Sequence, residues 1–494
     1  MEEQNNSSTL EEPVPNHATN NKVQRTLKTR HLSMIALGGS IGTGLFVASG
    51  SAISTAGPGG ALVAYAAIGI MVYFLMTSLG EIATYIPVSG SFATYASRFV
   101  DPALGFALGW NYWLNWAITL AVDVSTGALI MQYWFPHVPG WIFSSFFLAV
   151  IFIINAISAK SFGETEYWLS IIKVVTVIVF LIVGFMTIFG LLGHPAIGLK
   201  NFTIGKAPFV NGFDGIISVF VVAGFSFQGT EMVGITAGES ETPEESIPKA
   251  IKQVFWRILL FYILAIFVIA AILPYTSKYL LGSSVHDVAI SPFTLVFKQI
   301  GLAAAAGVIN FVILTSVISS ANSGMYASTR MLWSMAKQGI APKQFERTNK
   351  NGVPVPALLA TTLVGLITFL TSIFGHQVYM FLVAASGLTG FIAWLGIAIS
   401  HYRFRKAFIA QGHQVSELKY HAKWFPFGPI LAMILGILVI IGQGFQIHHW
   451  NWTQIIITYM SIPIFVGCYL YYKIKHKTHV VKLEDVDLTP TKED

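Results

Sequence analysis

The sequence GSIGTG occupies residues 39–44, inside an apolar segment that extends from Leu32 to Gly57. This segment is long enough to cross a bilayer, for which about 20 apolar residues are needed. Three glycines, a serine and a threonine lower helix propensity at the depth where unpaired backbone groups are most costly. Such an interruption is typical of a helix that lines a solute-binding site.

The composition indicates that this interrupted helix is one of many membrane spans. Hydrophobic residues make up 54% of the chain and charged residues only 11%, whereas a soluble domain has about 25% charged residues. The sequence therefore predicts an all-α integral membrane protein embedded in a lipid bilayer. Twelve transmembrane helices are predicted, at about residues 32–57, 61–86, 104–131, 141–158, 167–192, 214–237, 254–274, 293–320, 357–374, 378–400, 427–446 and 453–474.

The positions of lysine and arginine indicate the orientation, because these residues collect in cytoplasmic loops. With both termini in the cytoplasm, almost all of the 29 basic residues fall on the cytoplasmic side, and the exceptions are Lys173, Lys200, Lys206, Lys278 and Lys298. The formal net charge of +6 is therefore mainly an orientation pattern. It does not indicate nucleic acid binding, which would need a soluble basic surface.

A second interruption, GFSFQGTE at residues 224–231, lies in the predicted sixth span. It follows the first interruption by five spans, and because five is odd, the second five-helix unit enters the membrane from the opposite face. Inverted repeats of this kind are typical of secondary transporters. The predicted organisation is a disordered cytoplasmic tail at 1–27, repeats at 28–192 and 193–406, two further helices at 407–476, and a cytoplasmic tail at 477–494 that is also expected to be disordered.

The two interruptions expose complementary backbone groups. Unwinding at Ser40–Thr43 frees N–H groups at the start of the outer half-helix, which suit a carboxylate. Unwinding at Phe225–Gly229 frees carbonyl groups, which suit an ammonium group. Close helix packing explains either glycine run alone, but two runs at matching positions favour a site for a zwitterionic amino acid.

The chain resembles the amino acid transporter family of the amino acid–polyamine–organocation superfamily over about residues 28–472. The resemblance is carried by segments such as GSIGTGLFVASG, GFALGWNYWLNWA, FSFQGTEMVGITAGES and IPKAIKQVFWRILLFY. Longer runs, including FGETEYWLSIIKVVTVIVF and NSGMYASTRML, are similar to bacterial lysine-specific members. The resemblance implies a LeuT-type 5+5 inverted repeat plus two extra helices, with the first and sixth helices discontinuous. It also implies proton-driven import of L-lysine across the inner membrane.

Lys173 is the basic residue that the predicted topology places deep in a span. An ionisable group in this position is a functional candidate, because burying its charge is costly. Burial favours the neutral amine, so Lys173 is expected to alternate between protonated and neutral forms. The resemblance implies that a lysine at the position found in SIIKVV takes the place of a sodium ion beside the first interruption. A lysine that only donates to carbonyl groups is the competing explanation.

Glu231 follows the second interruption, and the resemblance places it at a GTE position shared by permeases. It is expected to pair with a substrate ammonium or to carry a second proton, while the alternative is a carboxylate that stabilises the inner half-helix. In the third span, Tyr112, Asn115 and Trp116 share one helix face. Tyr112 and Trp116 are candidates for stacking on the substrate or for an interfacial aromatic belt.

Phe225 resembles an aromatic gate that closes over the bound amino acid. The complete set of candidate substrate-binding residues is Ser40, Ile41, Gly42, Thr43, Gly44, Tyr112, Trp116, Phe225, Ser226 and Glu231.

Further acidic residues are candidates for gating. Glu81, near the inner end of the second span, is expected to form an inner-gate ion pair with a basic loop residue or to transfer protons. Glu239 is expected to be a cap or gate, and Asp123 to form a hydrogen bond between helices. The polar residues of the eighth span are expected to serve helix packing, and these are Ser319, Ser320, Asn322 and Ser323.

No enzyme, cofactor or metal site is expected. The chain has one cysteine, Cys468, and no phosphate-binding loop with a Walker lysine, so an ion gradient is the expected energy source. Alternatives to lysine symport are a permease or exchanger for arginine, histidine or 4-aminobutyrate, and a lysine-binding membrane sensor. A regulatory membrane-protein partner, proton stoichiometry and oligomeric state stay open at the level of sequence.

Overall fold

The computed structural model describes residues 23–192, 195–277, 280, 291–301, 303–374, 376–443 and 452–490, and in these ranges all regular elements are helical. The predicted N-terminal tail lies outside this description up to residue 22, as does Lys278. The α-helices are α1 (Thr29–Gly38), α2 (Ser49–Tyr85), α3 (Ser91–Phe99), α4 (Pro102–Met131), α5 (Gly140–Ile157), α6 (Ala159–Ile188), α7 (Gly212–Phe227), α8 (Met232–Thr236), α9 (Pro243–Arg257), α10 (Leu264–Ile272), α11 (Pro292–Gln299), α12 (Ala303–Lys337), α13 (Val355–Gly365), α14 (Thr368–Phe374), α15 (His376–Ala410), α16 (Phe427–Gly442), α17 (Trp452–Tyr459) and α18 (Ser461–His476).

Eight described segments are long and apolar enough to span a membrane. They are Gly44–Tyr85, Pro102–Met131, Gly140–Ile157, Ala159–Ile188, Gly212–Glu239, Pro243–Ile272, Gly307–Lys337 and Phe381–Ala410. Two shorter apolar segments, Val355–Thr371 and Phe427–Gly442, overlap the predicted ninth and eleventh spans. The structure is thus an all-helical membrane architecture, and the count of twelve spans stays a prediction.

The first of these segments is too long for one crossing. Its 42 residues would extend about 63 Å as a straight helix, twice the roughly 30 Å of hydrocarbon. Inside it, Gly57 has φ +77° and the next residue is Pro58. A Cβ at Gly57 would also lie 2.7 Å from the Pro208 carbonyl oxygen. Glycine therefore permits a break where the sequence predicts the boundary between the first and second spans.

Helix α6 has an apolar outer face and a polar inner face. Its exposed side chains recur at helical spacing and include Trp168, Ile172, Val175, Val179 and Ile182. Glu166, Ser170 and Lys173 lie on the opposite face and are fully buried. A helix with this distribution is suited to lipid outside and a polar site inside.

The interrupted helices pack in the centre of the described helices. Helix α1 lies against α6 and α9, and α7 packs along α2. Helix α4 makes its most extensive contacts with α12 and α15. Residues from α1, α4, α6, α7, α12 and α15 are therefore brought around one central region.

The segment 477–490, here called the C-terminal strap, packs against the protein, although the sequence predicted a disordered tail. Val481 N–H donates to the Val100 carbonyl oxygen (2.9 Å), and the Gln411 amide donates to the Val486 carbonyl oxygen (2.7 Å). Val486 and Leu488 are buried. The buried side chains of Val486 and Leu488, together with these hydrogen bonds to the backbone, hold the polar segment against the protein. The composition of the segment alone does not predict these contacts.

Asp101, which precedes α4, anchors the start of the strap. Its carboxylate accepts hydrogen bonds from the Lys473 ammonium (2.5 Å), the Thr478 hydroxyl (2.8 Å) and the Ala103 N–H (2.9 Å). Burial of this carboxyl opposes ionisation, but the bonds from Lys473, Ala103 and Thr478 outweigh burial and lower the pKa of Asp101. The strap is therefore attached through a carboxylate that stays ionised near neutral pH.

We expect Asp101→Asn to loosen the strap. Because the folded-state pKa of Asp101 is below its ordinary value, the ionic attachment is complete above that ordinary value, about 3.9, and is lost as the pH falls through the folded value. The variant should expose the strap to limited proteolysis at neutral pH faster than wild type does. Asp485→Asn, a matched change within the strap, should leave the cleavage rate unchanged. Equal protection of both variants would contradict the anchoring role.

Candidate functional site

The two interruptions meet in the structure. Helix α1 ends at Gly38, and a π-helical turn resumes the chain at Gly44–Ala48, while α7 ends at Phe227 and α8 begins at Met232. Gly229 has φ +95°, and a Cβ there would lie 2.7 Å from the Gly39 carbonyl oxygen. A Cβ at Gly44 would overlap the backbone of Ser226. These glycines allow the two non-helical backbones to touch.

The second interruption begins later than the sequence predicted. Helix α7 continues through Phe225 and Ser226, and the non-helical residues are Gln228–Glu231. The Ser226 hydroxyl donates to the Val222 carbonyl oxygen (3.0 Å) and lies 2.8 Å from the Tyr65 hydroxyl. Because Ser226 bonds within the helix, its backbone is not unwound there. Phe225 is buried beside the interruption.

The first interruption is held by side chains from other helices. The Tyr262 hydroxyl lies 2.8 Å from the Ser40 hydroxyl and 3.0 Å from the Ser40 carbonyl oxygen. Thr43 donates to Asp123 Oδ1 (2.8 Å), which is the interhelical hydrogen bond expected of Asp123. The Ile41 N–H donates to the Gly38 carbonyl oxygen (3.0 Å). The backbone N–H groups of Gly42 to Gly44, at the start of the resumed helix, therefore have the arrangement that suits an anion at a helix N-terminus.

Lys173 contacts the end of α1 directly. Its ammonium donates to the Gly38 carbonyl oxygen at 2.8 Å, and its side chain is fully buried. The Glu166 carboxylate, also fully buried, lies 3.6 Å from the ammonium. Asp123 on α4 interacts electrostatically with Lys173 as well. A buried cation therefore joins the first interruption to two carboxylates.

Glu166 is missing from the sequence-based candidates. It precedes Lys173 by seven residues, which places both side chains on one face of α6 after two turns. Ser319, expected to serve packing, donates to Glu166 Oε1 at 2.5 Å. The spacing of an acid and a lysine in one predicted span could have identified this pair.

Glu231 is surrounded by hydrogen-bond donors. Tyr112 donates to Oε1 (3.2 Å), while Trp394 and the Gly229 N–H each donate to Oε2 (3.2 Å). The structure thus brings Tyr112 and Glu231 together and adds Trp394, which the sequence analysis did not single out. The ring of Trp116 packs edge-on to Tyr112, with centroids 6.2 Å apart.

A network of neutral polar groups lies beside the second interruption. Gln228 donates to the Ser386 carbonyl oxygen (2.9 Å), and the Ser386 hydroxyl donates to Asn115 Oδ1 (3.2 Å). Thr389 donates to the same Asn115 oxygen at 2.8 Å. Of these four buried residues, Asn115 lies on the predicted third-span face and Gln228 in the predicted second interruption. Ser386 and Thr389 carry no such signal, because they become neighbours of the other two only when α4, α7 and α15 pack.

The candidate gate residues form buried ion pairs. Glu81 pairs with Arg405, whose Nε is 2.7 Å from Oε1, and accepts the Ala422 N–H (2.7 Å). The expected partner was a loop residue, but Arg405 belongs to α15, so the pair joins two helices. Glu239 pairs with Arg330 and accepts the Tyr326 hydroxyl at 2.9 Å.

The burial of Arg257 is not predicted by the distribution of basic residues along the sequence. The sequence placed it on the cytoplasmic side, but it is 1% exposed within the apolar segment Pro243–Ile272. None of its guanidinium nitrogens has a hydrogen-bond partner among the described residues, and it interacts electrostatically with Glu231. Lys173 is therefore not the single buried cation of the spans, since helix packing also encloses Arg257.

Comparisons with known proteins identify relatives over nearly the whole chain. Residues 31–485 match the family model described as amino acid permease. The chain is 59% identical to a lysine-specific permease of Lactococcus lactis (97% of this chain, 95% of the relative) and 56% identical to that of Escherichia coli (94% and 96%). It is also 58% identical to a histidine permease of Lactococcus lactis (96% and 99%).

We expect Gly44→Ala to destabilise the site, because the added methyl group would overlap the Ser226 backbone. Overpacking of this kind costs about 1–3 kcal/mol, so the thermal unfolding midpoint in detergent should fall and amino acid binding should weaken. Gly467→Ala is the matched control, because nothing lies within 4 Å of the added atom. An unchanged midpoint for Gly44→Ala would show that the two interruptions are not in close contact.

Proposed function

This chain belongs to the amino acid permease family and is a multi-pass membrane transporter, and we propose that it imports L-lysine by proton symport with alternating access. The proposed location is the inner membrane, with both termini in the cytoplasm. The proposed fold is the LeuT-type 5+5 inverted repeat with two extra helices, twelve in all. The discontinuity of α1 and of α7 with α8 supports this fold.

The observation that carries the proposal is the hydrogen bond from Lys173 to the Gly38 carbonyl oxygen. A protonated lysine holds the last residue of α1 beside the interruption that receives the substrate. Loss of the proton reduces this attraction, so the proton and the amino acid favour the same arrangement of the interruption. Linkage of this kind lets a proton gradient drive uptake.

The amino acid backbone is proposed to bind across the two interruptions. Its carboxylate takes the N–H groups of Gly42 to Gly44, so no arginine is needed. Its α-ammonium takes the carbonyl oxygens near Gln228 and the Glu231 carboxylate. Tyr112 and Trp116 border the ligand, and Phe225 closes over it.

Lysine is the proposed substrate because two of the relatives are lysine-specific permeases. The network of Asn115, Gln228, Ser386 and Thr389 offers neutral oxygen acceptors to a side-chain ammonium. The histidine permease relative supports histidine as a second candidate, since an imidazole N–H can donate to the same oxygens.

The two buried ion pairs, Glu81 with Arg405 and Glu239 with Arg330, are proposed as the inner gate. Each joins elements that are far apart in sequence. Opening to the cytoplasm would separate or rearrange these pairs, because a buried charge without its partner is costly.

Uptake by the purified protein in proteoliposomes tests class and substrate together. With an imposed pH gradient, acidic outside, we expect labelled lysine to accumulate, and unlabelled lysine to compete better than arginine, histidine or 4-aminobutyrate. Stronger competition by histidine would replace lysine with the second candidate. Lysine binding without uptake would favour a membrane sensor.

We expect Lys173→Gln to abolish accumulation driven by the pH gradient, because glutamine cannot carry the proton, while lysine binding is retained within about tenfold. Lys160→Gln is the matched control, since Lys160 is exposed at the start of the same helix. Full gradient-driven uptake by the Lys173 variant would remove the coupling role.

A further inference from the structure

Buried polar residues of α6 and α12 extend from Lys173 towards the contact between Tyr326 and Glu239. Helices α6 and α12 pack together, and six of their polar residues form what we call the α6–α12 lane: Glu166, Ser170, Ser319, Asn322, Ser323 and Tyr326. Asn322 also accepts a hydrogen bond from Asn155 of α5 at 2.8 Å. All six are no more than 1% exposed, and so is Lys173. On α12 these positions recur at three- and four-residue spacing, so they follow one helix face.

The two ends of the lane have defined contacts, to the buried lysine at one end and to an ion pair at the other. Glu166 lies 3.6 Å from the Lys173 ammonium and accepts the Ser319 hydroxyl. Further along α12, the Tyr326 ring stacks on Phe162 of α6, with centroids 4.0 Å apart. The Tyr326 hydroxyl donates to Glu239, the partner of Arg330. The lane therefore ends at the pair proposed as part of the inner gate.

Several polar atoms of the lane have no hydrogen-bond partner among the described residues. They are Glu166 Oε2, Ser170 Oγ, Asn322 Nδ2 and Ser323 Oγ. Most buried polar atoms in proteins are paired, so a row of unpaired atoms beside a carboxylate calls for an explanation. Groups that exchange protons and hydrogen bonds during a transport cycle provide one.

We propose that Glu166 accepts the proton that Lys173 releases and passes it to the cytoplasm along the α6–α12 lane. This inference rests on the proposed proton symport and adds a proton route that is separate from the amino acid route. The Glu166 contacts, Lys173 and Ser319, are not shared with Glu231, whose donors are Tyr112, Trp394 and Gly229.

The proposed step moves one proton and leaves no isolated charge. An Nζ–H bond of Lys173 breaks and an Oε1–H bond of Glu166 forms, which converts an ammonium and a carboxylate into an amine and a carboxylic acid. The neutral pair is favoured by the dry surroundings. A small movement of either side chain from the present 3.6 Å brings the two atoms within hydrogen-bond reach. The acid then releases its proton towards Glu239 and cytoplasmic water, and the carboxylate that this leaves is paired again when Lys173 takes up the next proton.

The other charged groups near the lysine differ in their contacts. Asp123 on α4 is bonded to Thr43 of the first interruption, so it belongs to the substrate side. Arg330 and Glu239 neutralise each other at the far end of the lane. Glu166 is thus the carboxylate placed between Lys173 and the cytoplasmic ion pair.

Glu166→Gln tests the proposal against Glu164→Gln, the same change two residues away at a partly exposed glutamate that pairs with Arg30 and His31. Both variants are reconstituted and assayed for gradient-driven accumulation and for exchange of labelled for unlabelled lysine at equal pH. Exchange requires the loaded carrier to turn over with its proton retained, whereas accumulation requires release. We expect Glu166→Gln to lower accumulation at least about tenfold with exchange within about twofold of wild type, and Glu164→Gln to change neither.

Three further variants extend the test. Glu166→Asp, which restores a carboxylate, should recover part of the accumulation. Ser323→Ala should slow accumulation but not exchange. Ser328→Ala should slow neither, because Ser328, although on the same helix as Ser323, donates its hydroxyl to the Trp113 carbonyl oxygen of α4. These serine variants provide a result even if Glu166→Gln fails to fold.

The outcomes separate this inference from the proposed function. Normal accumulation by Glu166→Gln, with accumulation lost in Lys173→Gln, would overturn the lane and leave proton symport intact. Loss of both exchange and accumulation in folded Glu166→Gln would also overturn it, because Glu166 would then serve substrate binding or turnover. Gradient-driven uptake by Lys173→Gln would instead contradict the symport mechanism itself.

Discussion

A backbone that leaves the helix inside hydrocarbon must find its hydrogen-bond partners within the protein, and this constraint organises the centre of the permease. Lys173 donates to the Gly38 carbonyl oxygen at the end of α1, and Tyr262 donates to the Ser40 carbonyl oxygen. Thr43 donates to Asp123. Each of these partners is a polar group that would be costly in lipid. Their burial in turn requires that α4, α6 and the π-helical segment Ile258–Ile263, which follows α9 and contains Tyr262, surround the interruption.

The same constraint explains why buried charges occur in groups. Lys173 lies beside Glu166, Glu81 beside Arg405, and Glu239 beside Arg330. In surroundings of low polarity, removing one member leaves a charge whose isolation costs more than the pair contributes. Such pairs stabilise one arrangement of the helices and oppose another in which the partners separate, which agrees with the alternating access proposed for this protein.

Relatives named for lysine and for histidine share nearly equal identity with this chain. Lysine and histidine both have an α-carboxylate and an α-ammonium group. These shared groups agree with the proposed site, in which the two interruptions bind what all amino acids have in common. In the proposed binding mode, discrimination between side chains depends on a few neutral groups near Gln228 and Ser386, where one or two substitutions can change the pattern of donors and acceptors.

The sequence by itself determined the membrane class, the presence of both helix interruptions and the position of the first, and it singled out Lys173 and Glu231 as ionisable residues of predicted spans. These features follow from local composition and from the 3.6-residue period, which are properties of one segment at a time. Only the tertiary structure decided that Glu166 faces Lys173, that Trp394 contacts Glu231, that Arg257 is enclosed and that the C-terminal strap is anchored at Asp101. A helix period identifies which residues share a face, but the partner of that face depends on how distant helices pack.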